Sequence, residues 1–208
     1  MAINGTATVW AAGVVVVLDL LVGARYCAKI MGGRSSPRLA TWLIFELGVV
    51  MSLVTYFASG DHSLAKAALN LTDAVVVTGI IAALVVRERG GGIRFTKNER
   101  LCLVISGITI VAWAITRTAW IGFVGFQVVM TVAYAPTIES LWEVKRGGAP
   151  EPVEAWSVNA VAALIGVVVD ATGTHDYVAM LYPLRACLLC LVVVGLVVRW
   201  NWKARAMY

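Results

Sequence analysis

The sequence predicts an all-α membrane protein of seven transmembrane helices, arranged as two parallel three-helix bundles joined by a linker helix (3+1+3). Three observations predict it: long apolar runs separated by short charged segments, a lopsided distribution of Lys and Arg between alternate loops, and an internal repeat. Of 208 residues, 60% are hydrophobic and only 14% charged, against about 25% charged in soluble domains. Mean hydropathy is +0.84. The net charge of +5 sits in loops rather than in a basic stripe interleaved with aromatics, so nucleic acid is not an expected partner.

A hydrocarbon core of about 30 Å needs about 20 helical residues. Span one is placed at 7–29 and contains Asp19. No Lys or Arg occurs in residues 1–6, so it reads as a true span rather than a cleaved leader with a basic front. Span two, 38–58, is opened by Pro37 and holds Glu46; span three, 64–86, holds Asn70 and Asp73. Arg87 to Arg94 follow, with Gly90, Gly91 and Gly92 as a flexible hinge. The fourth span, 100–117, is the linker. Little more than Arg117-Thr118-Ala119-Trp120 divides it from span five at 119–141, so a merged or re-entrant pair is the alternative there. Span five carries Gln127 and Pro136. Pro152 precedes span six, 155–172, which contains Asn159, and span seven, 177–199, contains Tyr182 and Arg185. The expected units are 1–87 for the first bundle, 88–118 for the loop and linker, 119–199 for the second bundle, and 200–208 for the tail.

Orientation follows from the loops. Those on the C-terminal side hold Lys29, Arg34, Arg38, Arg87, Arg89, Arg94, Lys97, Arg100, Lys145, Arg146, Arg199, Lys203 and Arg205. The opposite side offers Lys66 and Arg117, together with Asp61, His62, His175 and Asp176. Positive residues favour the cytoplasm, which places the C-terminus inside and the N-terminus outside, in the cell (plasma) membrane. Trp200 and Trp202 suit an interfacial anchor beside the last basic cluster.

The repeat rests on punctuation rather than on apolar matches. Span two ends Ala58-Ser59-Gly60-Asp61-His62 and span six ends Ala171-Thr172-Gly173-Thr174-His175. Glu46 and Asn159 stand at the same distance before those glycines. Pro37 with Trp42 recurs as Pro152 with Trp156, one residue closer together. Aligning Arg87 with Arg199 sets Asp73 opposite Arg185 and Asn70 opposite Tyr182. An odd number of spans per unit plus one linker returns the second unit in the same orientation, so the pseudo-twofold axis runs along the membrane normal.

With this plan the chain resembles the SWEET, SemiSWEET and PQ-loop transporters, and the PnuC-type transporters that share the 3+1+3 layout. The local pattern lies mainly in the second half: Tyr134-Ala135-Pro136-Thr137, then Pro152, then His175-Asp176-Tyr177-Val178. The resemblance implies alternating access between two bundles and an outside N-terminus. It matches Pro37, Pro136 and Pro152 to family prolines, and Asn70 to a pocket asparagine whose counterpart here is Tyr182. Trp42 and Trp156 fall eight or nine residues nearer the cytoplasmic edge than the family's pocket tryptophans.

Intramembrane ionisable groups are the first candidates for function, because each costs about 2.5–3.5 kcal/mol at mid-membrane. Asp73 and Arg185 are expected as an ion pair across the axis, lining a path or locking the bundles. Glu46 either cycles a proton or stays protonated and hydrogen-bonded, with Asn159 as its partner. Asn70 and Tyr182 suit hydrogen bonding to a polar solute, and Asp19 and Gln127 add to the same cavity or serve packing. Pro37, Pro136 and Pro152 are expected to bend helices, as flexing points or static kinks. His62 and His175 border an entrance or are ordinary solvated loop residues. Cys187-Leu188-Leu189-Cys190 reads as redox chemistry or as small packing residues. No metal ligand set, cofactor motif or catalytic constellation is evident, and no enzyme is expected. The expected function is transport of a small polar solute, with a receptor or sorting protein, or a subunit of a membrane complex, as alternatives. The expected partners are the lipid bilayer and that solute, and a homo-oligomer is compatible with the sequence.

Overall fold

Peptide groups in hydrocarbon must be paired within the chain, so apolar runs of this length close into helices. The computed structural model describes residues 5–35, 37–58, 64, 67–88, 95–142, 151–174 and 177–206. The helices are α1 (Gly5–Met31), α2 (Leu39–Ala58), α3 (Ala68–Glu88), α4 (Lys97–Thr116), α5 (Ala119–Ala133), α6 (Ala135–Trp142), α7 (Val153–Val169) and α8 (Tyr177–Arg205). A π-helical turn, Asp170–Thr174, extends α7. Among the described residues there is no strand, and seven segments are long and apolar enough to cross a membrane, with α5 and α6 sharing one crossing, Trp120–Trp142. The protein is an all-α, seven-helix membrane protein.

Helix α3 lies between α1 and α2, and α8 packs against α7 and α6. Two further contacts join the first three spans to the last three: α1 with α7, and α2 with α5. These are the pairs that a twofold relation between spans one to three and five to seven would exchange. Helix α4 rests on α5 and more lightly on α2. The α2–α5 crossing is close because it uses glycine. A Cβ on Gly48 would stand 2.4 Å from Met130 Cγ, and one on Gly122 2.5 Å from Thr55 Cγ2. Small residues of this kind let membrane helices approach without a hydrophobic drive.

Several expectations change. The fourth and fifth spans are separate helices: Arg117 takes a left-handed conformation (φ 52°) and its N–H caps the Trp113 carbonyl at 2.8 Å, ending α4. Pro37 and Pro152 bend no helix. Pro37 precedes α2, and Pro152 is the residue capping α7, where a missing N–H costs nothing. Pro136 follows the break at Tyr134 that separates α5 from α6. The proline inside a helix interior is Pro183 of α8, which sequence reading passed over. Residues 89–94 of the glycine hinge, and Asp61, His62, Lys66, His175 and Asp176, lie outside the described residues.

The start of α4 is fixed to α2. Glu99, 1% exposed, accepts from Thr96 N (2.7 Å) and Thr96 Oγ1 (2.9 Å) in a capping box. It also accepts from Thr41 Oγ1 (2.8 Å) and from both Nε (3.1 Å) and Nη2 (3.0 Å) of Arg38.

Candidate functional site

Polar side chains from five helices meet in the middle of the bundle. Asp73, in the second turn of α3, accepts a 2.6 Å hydrogen bond from the Tyr182 hydroxyl of α8. The Arg185 guanidinium, one turn further along α8, lies 5.0 Å from the centre of the Tyr182 ring. It donates through Nε to Gln127 Oε1 of α5 at 2.9 Å and touches Met130 Sδ at 3.6 Å. Gln127 Nε2 passes the chain to Ser52 Oγ of α2 (3.1 Å), which also accepts from Asn70 Nδ2 (3.2 Å). One network thus runs from Asn70 to Arg185 and meets Asp73 through Tyr182.

The expected Asp73–Arg185 contact pair is not formed. The ion pairs among the described residues are Lys29–Glu154 and Arg38–Glu99. Tyr182 stands between Asp73 and Arg185, its hydroxyl to the acid and its ring to the guanidinium. The reason is geometric: residues three apart on a helix share a face, so Tyr182 and Arg185 arrive together and the ring fills the gap. Glu46 and Asn159 do not meet either. Glu46 Oε1 accepts from Thr78 Oγ1 of α3 at 2.8 Å, while its Oε2 and the Asn159 Oδ1 have no hydrogen-bond partner. Asp19 of α1, 0% exposed, sits within electrostatic reach of Asp73. Thr72 stands close enough to bear on it, but the Thr72 hydroxyl is directed to the Ala68 and Leu69 carbonyls, which leaves the Asp19 oxygens without a well-formed hydrogen bond.

A cavity of about 40 Å³ opens on this layer, with Asp73 and Asn159 facing Trp42, Trp156 and Tyr26. Both tryptophans, expected nearer the edge, therefore form its floor. The floor is a chain of aromatic contacts across four helices. Centroid distances are 5.5 Å for Tyr26–Trp42, 5.7 Å for Trp42–Phe45, 4.8 Å for Phe45–Tyr134 and 5.7 Å for Tyr134–Trp156. Glu151 closes the chain into a ring, accepting from the Tyr26 hydroxyl (2.6 Å) and the Trp156 indole (3.0 Å) on the same oxygen. Burial pushes the Glu151 carboxyl up, and those two donors pull it part of the way back. Outside the ring, Lys29 pairs with Glu154, again joining α1 to α7. At the other end of the bundle Tyr56 packs on Phe57 and Phe123, at 5.4 and 6.5 Å.

Sequence reading did not reach Glu151, Tyr26 or Ser52. Ser52 is one small hydroxyl in an apolar run, and Glu151 sits in what reads as a loop. The recurrence of Trp beside Pro37 and Pro152 was the available signal for the floor. Cys187 and Cys190 are free thiols buried in α8, and no cluster able to hold a metal occurs among the described residues.

Fold and site together define an integral membrane protein with a hydrogen-bonded polar interior. Comparison of the chain with protein-family models, with curated proteins and with solved structures finds no match.

Proposed function

We propose that the protein is a transporter that moves a small polar solute across the plasma membrane by alternating access, on the SWEET and PQ-loop plan of two three-helix units and a linker. In this reading the end bearing the basic loops faces the cytoplasm. The observation that carries it is the enclosed polar layer around Asp73, Tyr182 and Arg185. Burying so many polar groups in a membrane is costly, and a purely structural lock would pair them fully. Here Asp19, Glu46, Asn70, Asn159 and Arg185 each keep an unpaired polar atom, and Asn159 lines a cavity with Asp73. The ring of Tyr26, Trp42, Phe45, Tyr134, Trp156 and Glu151 serves as the inner gate, and the α1–α7 and α2–α5 contacts are the seams that open and close.

The test is counterflow of labelled sugars, ribonucleosides and amino acids into proteoliposomes. Exchange of at least one is expected, and Asp73→Asn is expected to abolish it while the protein still inserts and purifies. Absence of exchange for all of them, with a stoichiometric protein co-purifying, would make the chain a subunit of a complex instead.

A further inference from the structure

The interior is short of donors and of positive charge. Three carboxyls, Asp19, Glu46 and Asp73, come from α1, α2 and α3, and Asp73 lies near one cation, Arg185 of α8. Asp73 is within electrostatic reach of all three of the others. Arg185 gives its hydrogen bonds to Gln127 and Met130 rather than to an acid. The unpartnered buried atoms show the same bias. Acid and amide oxygens without a donor are both of Asp19, Glu46 Oε2, Asn70 Oδ1 and Asn159 Oδ1, against a single nitrogen, Arg185 Nη1. Asp19 is completely buried, and a buried carboxyl with only Thr72 as a near donor is short of hydrogen-bond partners. Of these acceptors Asn159 lines the cavity, together with Asp73, and its walls are Trp42, Trp156 and Tyr26, whose ring faces attract cations.

We infer that the solute taken into this cavity is an organic cation rich in N–H donors, its charged head against Asp73 and Asn159 and its body against Trp42 and Trp156. A neutral polyol would satisfy acceptors without drawing on the ring faces, and an anion would be repelled by Asp73. Arg185, held by Tyr182 and Gln127, balances one acid and leaves the rest for the ligand. The inference rests on the transport reading for movement of the cation, whereas binding is tested separately.

Benzamidinium, benzamide and benzoate share one size and shape and differ in charge and donors, so they isolate the property at issue. In nanodiscs, benzamidinium is expected to raise the thermal midpoint of the wild-type protein saturably, with benzamide and benzoate far behind. The shift should be lost in Asp73→Asn, altered in Asp19→Asn, whose carboxyl acts on Asp73, and kept in Glu139→Gln, which alters an exposed pair with Asn98 outside the cavity. Equal shifts from all three compounds, or a benzamidinium shift unaltered in both Asn variants, would overturn the inference. So would a wild-type protein indifferent to benzamidinium, which would assign the carboxylates to protons. Because the wild-type comparison needs no variant, a misfolded mutant does not decide the outcome. Benzamidinium bound but not exchanged in counterflow would remove the carrier and keep the cation site. Exchange of neutral solutes without benzamidinium binding would do the reverse.

Discussion

Tyr182 joins the two charged groups of the interior. Its hydroxyl serves Asp73 and its ring carries the Arg185 guanidinium, so Tyr182→Phe keeps the ring contact and removes only the hydrogen bond. A hydrogen bond to an ionised group is worth about 1.5–3 kcal/mol. Counterflow by Tyr182→Phe should therefore fall about ten- to a hundred-fold while the folded yield is retained. Glu151 permits a test by pH. Its acidity in the fold is shifted upward by burial. A carboxyl raised in the folded state favours that state when protonated, so its contribution is complete below the ordinary Glu value of about 4.3 and fades as pH climbs through the higher folded value. Thermal midpoints should decline with rising pH in that range, and Glu151→Gln, whose amide oxygen still accepts from Tyr26 and Trp156, should flatten part of the decline. Asp73, Arg185, Asn70 and Tyr182 were legible in the sequence because charge and polarity are conspicuous in apolar runs. The ring between the charges was not, since a repeat alignment gives opposition across an axis but not the length of the gap. Glu151 was hidden because its burial depends on tertiary contacts with Tyr26 of α1 and Trp156 of α7.

At the level of elements, the spans were readable from hydropathy, and the start of α4 carries its own signature in Thr96 and Glu99. The prolines misled in part. Without their packing, a proline at a helix start and one within a helix look alike; Pro37 and Pro152 belong to the first kind and Pro183 to the second. Gly166 faces Pro183, and a Cβ there would come within 3.0 Å of the proline ring, so α7 fits closely where α8 lacks an N–H. The α2–α5 seam offers the sharper test. Gly48→Val would place a side chain where Met130 now lies, an overpacking that costs about 1–3 kcal/mol. The expected result is a lower thermal midpoint, together with weaker solute binding, because Met130 also supports Arg185.

Across the whole molecule, the end bearing the basic loops combines a buried ring, the proposed gate, with an outer charge pair. Lys29 and Glu154 are both partly exposed, so their link is worth at most about 1 kcal/mol. Reversing one charge, in Lys29→Glu or Glu154→Lys, should make Ala155→Cys label up to about five-fold faster with a membrane-impermeant thiol reagent in a background free of native cysteines. The double reversal should restore the slow rate. Equal labelling in all four proteins would remove Lys29–Glu154 from the gate. The placement of the interior carboxylates has a further consequence for ancestry. Asp19, Glu46 and Asp73 all belong to the first three spans, while the guanidinium, the phenol and Gln127 belong to the last three. Two copies of the first unit, assembled as a homodimer about the same axis, would crowd six acids into one dry centre with no cation to oppose them. The acids of the first three spans and the donors of the last three are complementary rather than interchangeable, and one continuous chain supplies them in a one-to-one ratio.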